Sequence, residues 1–272
     1  MARIIAPGSW HFEEAGDGPP LLLLHGLGAS AFSWRHNLGP LSRHFKVLAP
    51  DLPPHGRSPD PLDGDYRLEA LVQGLVDFLD LHSLPKAALV GNSLGGALAL
   101  LLARNYPERV SALILLAPAA ALTRLPYIFY PLRLPGLGQM LAPLILGPWI
   151  MPFALRLIYH RGEQITPEVI AHYAKPFRER QRRLALASLC RQVQLPPLEE
   201  IAALLSGIHQ PLSMIWGEQD RILPVRQAFW LKERLPNSEL HLLPEVGHAP
   251  QEEAPAPVNE IIIDFLTRSR NN

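Results

Sequence analysis

Cysteine is almost absent from the sequence: Cys190 is the single one, so no disulfide can form within the chain. Scarce cysteine is typical of reducing compartments, and we expect a cytoplasmic protein, although a single cysteine is also compatible with the periplasm. Net charge is absent as well, since 25 lysines and arginines balance 25 aspartates and glutamates. A chain without an excess of either sign offers nucleic acid no general electrostatic attraction, and no nucleic acid is expected as a partner.

Long uninterrupted apolar runs are also lacking. The run Leu21–Leu24 is too short for a signal peptide, and the largely apolar stretch 137–159 is interrupted by three prolines, Pro143, Pro148 and Pro152. Prolines there would break the backbone hydrogen bonding that lipid demands. We therefore expect no signal peptide and no membrane span, with peripheral lipid contact left open. The sequence also lacks a metal-ligand cluster and a phosphate-binding glycine pattern, so no metal and no cofactor are expected.

What the sequence does contain is an alternation of short apolar runs with helix-like stretches. At 272 residues and 48% hydrophobic content it can bury one large core. Runs without polar alternation suit strands that are buried on both faces of a parallel sheet. The predicted strands are 21–24, 46–49, 87–90, 112–116, 212–216 and 239–243, and the predicted helices are 68–81, 95–106, 225–235 and 258–266. This rhythm predicts a doubly wound α/β fold.

The residue pattern and composition of the sequence change between residues 118 and 210. Strand-like runs fade there, prolines recur, helical patterns dominate, and basic residues outnumber acidic ones. We interpret residues 1–117 and 211–272 as the α/β core. Residues 118–210 are then a helical insertion between two strands of that core.

The segment Gly91-Asn92-Ser93-Leu94-Gly95 follows one predicted strand and opens a predicted helix. A serine raised on a tight strand-to-helix turn needs an unusual backbone and small neighbours, which the flanking glycines supply. The amide of Leu94 would then point toward developing negative charge. We predict that Ser93 is a nucleophile, and the alternative is an ordinary glycine-rich turn with a capping serine.

A second loop, His25-Gly26-Leu27-Gly28, follows the first predicted strand. Its glycines allow a sharp turn that presents the amide of Leu27, so we predict an oxyanion hole built from Leu27 and Leu94. His25 resembles a catalytic base by residue type alone. We interpret it instead as a brace that holds this loop by hydrogen bonding.

A serine nucleophile requires a base and an orienting carboxylate, and two late predicted strands end in such groups. One is followed by Glu218 and Asp220, and the other by His248. We predict Asp220 as the acid, with Glu218 as its competitor, and His248 as the base. The resulting chain order is serine, acid, histidine.

Together these motifs resemble the capped members of the α/β-hydrolase superfamily over residues 10–267. The segments that carry the resemblance are 25–28, 51–58, 91–96, 216–220 and 247–255. The resemblance implies a mostly parallel eight-stranded sheet flanked by helices, with residues 118–210 as a helical cap or lid. It also implies Ser93, Asp220 and His248 as a catalytic triad.

The sequence departs from the family's patterns at three points, one of which concerns a turn and two of which concern the type of reaction. Pro54 stands where a glycine is usual, which puts the turn near Asp51 in doubt. Ala249 stands where carbon–carbon bond hydrolases of aromatic meta-cleavage products commonly have tryptophan after the histidine. The serine nucleophile argues against haloalkane dehalogenases and epoxide hydrolases, which attack with a carboxylate.

The expected activity is hydrolysis of a small-molecule carboxylic ester, in the manner of a carboxylesterase, through an acyl-enzyme. Large apolar side chains in the insertion suggest a lipophilic substrate, although such side chains more often pack a cap onto its core. The side chains predicted to bind substrate are Trp34, Tyr127, Met140, Leu144, Trp149 and Phe153.

Other activities and partners stay open at this point. The same fold and triad serve carbon–carbon bond hydrolases, acyl transfer to peroxide or another acceptor, and non-catalytic ligand receptors. We interpret the basic cluster 178–183 as a solvated helix face. The alternative is a docking patch for an acidic partner such as an acyl carrier protein. The oligomeric state is not predicted.

Overall fold

The computed structural model describes residues 9–121, 134 and 137–271. Within them a seven-stranded sheet has the strand order β1-β3-β2-β4-β5-β6-β7. The strands are β1 (Phe12–Ala15), β2 (Pro20–Leu24), β3 (Lys46–Pro50), β4 (Ala87–Asn92), β5 (Val110–Leu116), β6 (Leu212–Gly217) and β7 (Glu239–Leu243). Strands β2 to β7 pair in parallel, whereas β1 pairs antiparallel with β3 at the edge.

Helices connect the strands and cover the sheet. They are α1 (Leu38–Leu41), α2 (Leu68–Leu81), α3 (Leu94–Asn105), α4 (Leu137–Ile145), α5 (Met151–Ile158), α6 (Pro167–Ala174), α7 (Arg180–Gln192), α8 (Leu198–Leu205), α9 (Arg226–Arg234), α10 (Pro250–Glu253) and α11 (Pro255–Asn271). The predicted mostly parallel α/β sheet is thereby confirmed. The expected eight strands are not all found, because the described residues form seven.

Alternate side chains of one strand serve two apolar layers. Leu22 and Leu24 pack with helices α2, α3 and α9 on one face of the sheet, and Leu21 and Leu23 pack with α1 and α11 on the other. All four leucines are fully buried. This two-faced burial explains why the strand sequences are apolar without alternation.

Helices α4 to α8 lie between β5 and β6 in the chain, in the stretch predicted as an insertion. Much of this stretch packs as a third apolar cluster that includes Leu155, Tyr173 and Leu186. Leu27 and Phe32, from the loop after β2, pack against the same cluster. The stretch therefore sits over the loops that leave the carboxyl ends of the strands. Among the described residues, no helix has both the length and the hydropathy that crossing a membrane would require.

Candidate active site

Ser93 occupies the turn between β4 and α3 with a backbone of φ +52° and ψ −114°. Residues other than glycine rarely adopt a positive φ, so the backbone of this turn is strained. Close packing requires the neighbouring glycines: a Cβ at Gly91 would lie 2.5 Å from the Gly95 backbone, and one at Gly95 would lie 2.2 Å from the Leu24 carbonyl. The strand-to-helix turn predicted from the sequence is thus present, with Ser93 at its corner.

The loop after β2 approaches Ser93 from the neighbouring strand, and α3 begins directly after Ser93. Strands β2 and β4 pair with Leu24 opposite Gly91, so the loops that follow them meet at one edge of the sheet. A Cβ at Gly26 would lie 3.2 Å from Ser93 Cβ. Leu27 follows in this loop, and Leu94 is the first residue of α3, where an amide has no acceptor within the helix.

Asp220 and His248 form a hydrogen-bonded pair at the ends of β6 and β7. His248 Nδ1 lies 2.7 Å from Asp220 Oδ2, and both side chains are buried. Asp220 Oδ1 accepts hydrogen bonds from the amides of Ile222 and Leu223, each at 2.8 Å. An acceptor so placed holds the proton on Nδ1 and leaves Nε2 available as a base. Glu218, the competitor for this role, is exposed, and the imidazole bonds Asp220 instead.

The histidine loop is attached to the serine turn by Asn92. The Asn92 side-chain amide donates to the carbonyl oxygens of Leu116 and His248, at 3.1 and 3.0 Å. These bonds join the ends of β4 and β5 to the residue that carries the imidazole. No role was predicted for Asn92, because an asparagine in such a turn has no distinctive sequence pattern.

A second attachment joins the histidine loop to helix α5. The amide of His248 donates to the Ile158 carbonyl at 2.7 Å, and the Glu253 carboxylate accepts from the amides of Gly247 and His160 at 2.9 and 2.7 Å. Burial raises the pKa of Glu253, and these amides oppose the rise. The insertion is thereby hydrogen-bonded to the loop that bears the imidazole.

His25 braces the loop beside Ser93, as the sequence analysis expected. Its Nδ1 lies 2.8 Å from the Gly26 carbonyl oxygen and its Nε2 accepts from the Leu52 amide at 2.8 Å. Burial lowers the pKa of this imidazole, so it stays neutral. His55 packs edge-on against it with ring centroids 5.0 Å apart. Burial lowers the pKa of His55 to about 3, and the proximity of the two imidazoles adds to the fall, since both cannot carry a proton at once.

Asp51 holds the turn that contains Pro54. Its carboxylate accepts from the amides of Ala31 and Arg57, both at 2.8 Å, and contacts His11 Nδ1 at 2.9 Å. A Cβ at Gly56 would collide with this carboxylate at 2.1 Å. Asp51 therefore holds the turn with Pro54 in place of the expected glycine and a cis peptide bond before it.

Two cavities meet at Ser93 and His248. Cavity A, of about 130 Å³, contains both residues and is walled mainly by the insertion and by the segment after His248. Its lining from the insertion comprises Leu146, Ile150, Met151, Ala154, Leu155, Ile158, Tyr159, Tyr173, Phe177 and Leu186. Gln251 and Glu252 add polar groups to its wall.

Cavity B, of about 140 Å³, is also lined by these two residues, together with a largely different set of side chains. Leu27, Ser93, Ile158 and His248 belong to the walls of both cavities. The remaining lining of cavity B is Leu68, Leu94, Ala97, Ala119, Leu189, Cys190, Val193, Leu195, Ile222 and Leu223. Ser93 and His248 thus lie where two predominantly apolar spaces join.

The side chains predicted to bind substrate do not line either cavity in the described residues. Trp34 is fully buried in the apolar layer of α1 and α11. Met140, Leu144, Trp149 and Phe153 are between 60 and 74% exposed. Tyr127 lies outside the described residues. From helix α5 the residues Ala154, Leu155 and Ile158 line cavity A, whereas Phe153 lies on the exposed side of the helix.

The basic cluster 178–183 is partly engaged within the protein. Arg182 pairs with Asp60 at 3.4 Å and also reaches the Pro54 carbonyl, and Arg183 donates to the Phe177 carbonyl. Arg178 and Arg180 are exposed. Two of the four guanidinium groups therefore stabilise the local fold and are not freely presented to a partner.

The sequence is similar to those of known proteins over most of its length. Residues 21–261 match the model of the alpha/beta hydrolase family. An uncharacterised hydrolase of Bacillus subtilis is 31% identical, over 94% of this chain and 92% of its own length. A 2-hydroxy-6-oxo-6-phenylhexa-2,4-dienoate hydrolase of Burkholderia cepacia is 29% identical, over 94% and 90%.

The fold is also similar to that of a solved structure. A candidate lipase from Acinetobacter baumannii superposes with a TM-score of 0.85 at 28% identity, covering 97% of this chain and 89% of that one. The family match spans most of the chain and agrees with the parallel sheet and the strand-to-helix turn at Ser93. The chain is a hydrolase that belongs to the alpha/beta hydrolase family.

Proposed function

We propose that this protein hydrolyses carboxylic esters with lipophilic arms, using Ser93, His248 and Asp220 as a catalytic triad. One observation carries the proposal: Ser93 and the Asp220-bonded His248 lie at the junction of two apolar cavities. An ester has two arms on either side of a reactive carbonyl. A carbonyl at Ser93 would direct one arm into each cavity.

The chemistry follows from the groups at the junction. His248 Nε2 takes the proton of Ser93 as the hydroxyl oxygen attacks the carbonyl carbon. The amides of Leu27 and Leu94 hold the oxyanion, and Asp220 stabilises the imidazolium. His248 then protonates the leaving alcohol, and water attacks the acyl-enzyme by the same route.

The insertion, residues 118–210, acts in this proposal as a cap that supplies half of the residues that line cavity A. Its lining is aliphatic and aromatic, which favours alkyl or aryl arms over charged ones. The hydrogen bond from His248 to Ile158 would couple the position of the cap to that of the base.

The test is a panel of p-nitrophenyl esters of increasing acyl length, with Ser93→Ala as the blank. We expect medium chains to exceed acetate in kcat/KM, and Ser93→Ala to lower kcat by about a million-fold. A fluorophosphonate should label Ser93 and stop turnover. Labelling without turnover of any ester would instead support a ligand receptor, and a profile that peaks at acetate would contradict the lipophilic arms.

A second candidate is hydrolysis of a carbon–carbon bond in a dienoate. The relative from Burkholderia cepacia carries that activity in its name and is 29% identical. Ala249 after the histidine, and the apolar lining of both cavities, favour the ester. Turnover of a 2-hydroxy-6-oxo-dienoate at a higher kcat/KM than the best ester would reverse this order.

A further inference from the structure

The outer surface of the insertion carries a concentration of large apolar side chains that are open to solvent. In the described residues, ten large apolar side chains are more than a third exposed, and five of these ten lie between positions 140 and 157. The five, which we call the outer patch, are Met140, Leu144, Trp149, Phe153 and Leu157, with exposed fractions of 38 to 74%. Single exposed apolar residues are ordinary on a protein surface, whereas such a concentration is typical of a surface that binds a partner or a membrane.

The outer patch is formed by two consecutive helices and the turn between them. Met140 and Leu144 are four residues apart in α4, so they share one face of that helix. Phe153 and Leu157 have the same spacing in α5. Trp149 lies in the turn 148–150 that connects the helices. The exposed sides of α4 and α5 are thus both apolar, and an exposed tryptophan lies between them in the chain.

Helix α5 separates the outer patch from cavity A. Ala154, Leu155 and Ile158 line the cavity. Phe153 and Leu157 lie on the exposed side of the same helix. An α-helix with its side chains is about 10 Å across, so a surface that binds the outer patch would lie about that far from the proposed substrate space.

The charged groups beside the outer patch are positive. Arg156 lies on the exposed side of α5, and the exposed Arg221 donates to the Arg156 carbonyl at 3.3 Å. Neither guanidinium forms an ion pair with a carboxylate in the part of the chain that the structure describes. The sequence of residues 118–160 contains three arginines and neither aspartate nor glutamate. An apolar surface bordered by unpaired cations is complementary to a lipid layer with anionic headgroups.

A second copy of the chain fits this surface less well. A dimer with two-fold symmetry would bring the same patch of both copies together. Arg156 of each copy would then approach a surface segment that contains arginine and no carboxylate, and like charges oppose such an association. A lipid layer supplies both an apolar interior for the side chains and phosphate groups for the guanidinium.

We propose that the outer patch docks this protein on an anionic lipid surface, with its apolar side chains in the lipid and Arg156 at the phosphate groups. Docking in this way holds cavity A beside a layer in which lipophilic esters concentrate. The inference goes beyond the proposed ester hydrolysis, because binding to lipid requires no turnover.

Cosedimentation with vesicles tests the apolar part of the proposal. The vesicles are phosphatidylcholine mixed with phosphatidylglycerol, and phosphatidylcholine alone. We expect the wild type to bind the mixed vesicles and Leu144→Ser to weaken that binding by about tenfold, because one large apolar side chain no longer enters the lipid. Leu62→Ser is the matched control, since Leu62 is 78% exposed and lies outside the outer patch, in the loop before α2.

Arg156→Gln tests the role of charge. It should weaken binding to the mixed vesicles by about fivefold at low salt and leave binding to phosphatidylcholine alone unchanged. Equal binding of the wild type to both kinds of vesicle, unaltered in Arg156→Gln, would overturn the assignment to an anionic surface.

Trp149 gives a direct readout of insertion. Lipids brominated on their acyl chains should quench part of the tryptophan fluorescence of the wild type, and Trp149→Phe should remove that quenching. Trp34 and Trp216 are fully buried and should not respond. Binding without any quenching that depends on Trp149 would place the lipid contact elsewhere and contradict the proposal.

The remaining outcomes separate this proposal from a dimer and from the proposed function. Absence of vesicle binding, or equal binding by Leu144→Ser and Leu62→Ser, would overturn it. A dimer in light scattering that Leu144→Ser dissociates, without vesicle binding, would assign the outer patch to a second copy instead. Vesicle binding without turnover of any ester would retain the docking surface and contradict ester hydrolysis, and ester turnover without vesicle binding would do the reverse.

Discussion

His248 Nδ1 lies 2.7 Å from Asp220 Oδ2, while Asp220 Oδ1 is held by the amides of Ile222 and Leu223. The carboxylate is therefore fixed from both sides and cannot rotate away from the imidazole. Its role in the proposed chemistry is to set the tautomer of His248 and to stabilise the imidazolium.

Asp220→Asn tests that role. The amide keeps the shape of the side chain but favours the wrong tautomer of His248, so we expect kcat to fall by about ten-thousand-fold with KM little changed. Glu218→Gln is the control, because Glu218 is exposed. Steady-state kinetics on the best ester would show the contrast, and a larger loss in Glu218→Gln would transfer the acid role to Glu218.

Cavity A should set the length of chain that is accepted. Ala154 lines it, so Ala154→Phe would fill part of its volume and lower kcat/KM for long-chain esters by about tenfold or more, with short chains spared. Trp149→Ser is the control, since Trp149 is 60% exposed and does not line the cavity. Equal effects of the two changes on the chain-length profile would contradict this assignment of the cavity.

Gly95→Ala should destabilise the protein. The new methyl would lie 2.2 Å from the Leu24 carbonyl oxygen and 2.8 Å from that of His25, and backbone cannot yield as a side chain can. We expect a loss of about 3 kcal/mol or more in the free energy of unfolding, measured by urea titration. Gly39→Ala in α1, where a Cβ has nothing within 4 Å, should be neutral or slightly stabilising. Comparable losses in both variants would contradict the steric cause.

Stability should fall as the pH drops below 6.5. The pKa of buried His55 is lowered to about 3, so the unfolded chain takes up a proton at pH values where the folded protein does not. The stabilisation is complete above pH 6.5 and is lost at up to about 1.4 kcal/mol per pH unit as the pH falls towards 3.

Urea titrations at pH 7, 6 and 5 would measure that slope. His55→Asn should flatten it, because the variant has no imidazole to protonate in the unfolded chain. His209→Asn is the control, since His209 is exposed. A slope that is unchanged in His55→Asn would assign the pH dependence to other groups, among them His25, whose pKa burial also lowers.

The strands that could be predicted from the sequence are those with long apolar runs. Strands such as Ala87–Asn92 are buried on both faces, so their uninterrupted apolar runs were recognisable. Strand Phe12–Ala15 was missed, since an edge strand of the sequence Phe-Glu-Glu-Ala is half exposed and has no such run. The turn at Ser93 was recognisable because only small neighbours can surround it.

The walls of the cavities could not be predicted in the same way. In helix α5 the apolar residues Phe153 and Leu157 lie on the exposed side with Arg156, so a choice based on large apolar side chains alone does not identify the residues that face inward. Phe153 was expected to line the substrate space and is exposed, whereas Ala154 and Leu155 line it. The contacts of Gln251 were also beyond prediction, because they join residues that are 159 positions apart.

Asn92 joins the serine turn to the histidine loop by bonding two carbonyl oxygens, those of Leu116 and His248. A carbonyl is supplied by every amino acid, so this link does not depend on which side chain occupies position 116. A side chain at position 116 that fits the buried core therefore keeps the acceptor of this link in place. The spacing between Ser93 and the histidine loop then depends on main-chain oxygens and on Asn92, and not on the chemistry of the side chain at position 116.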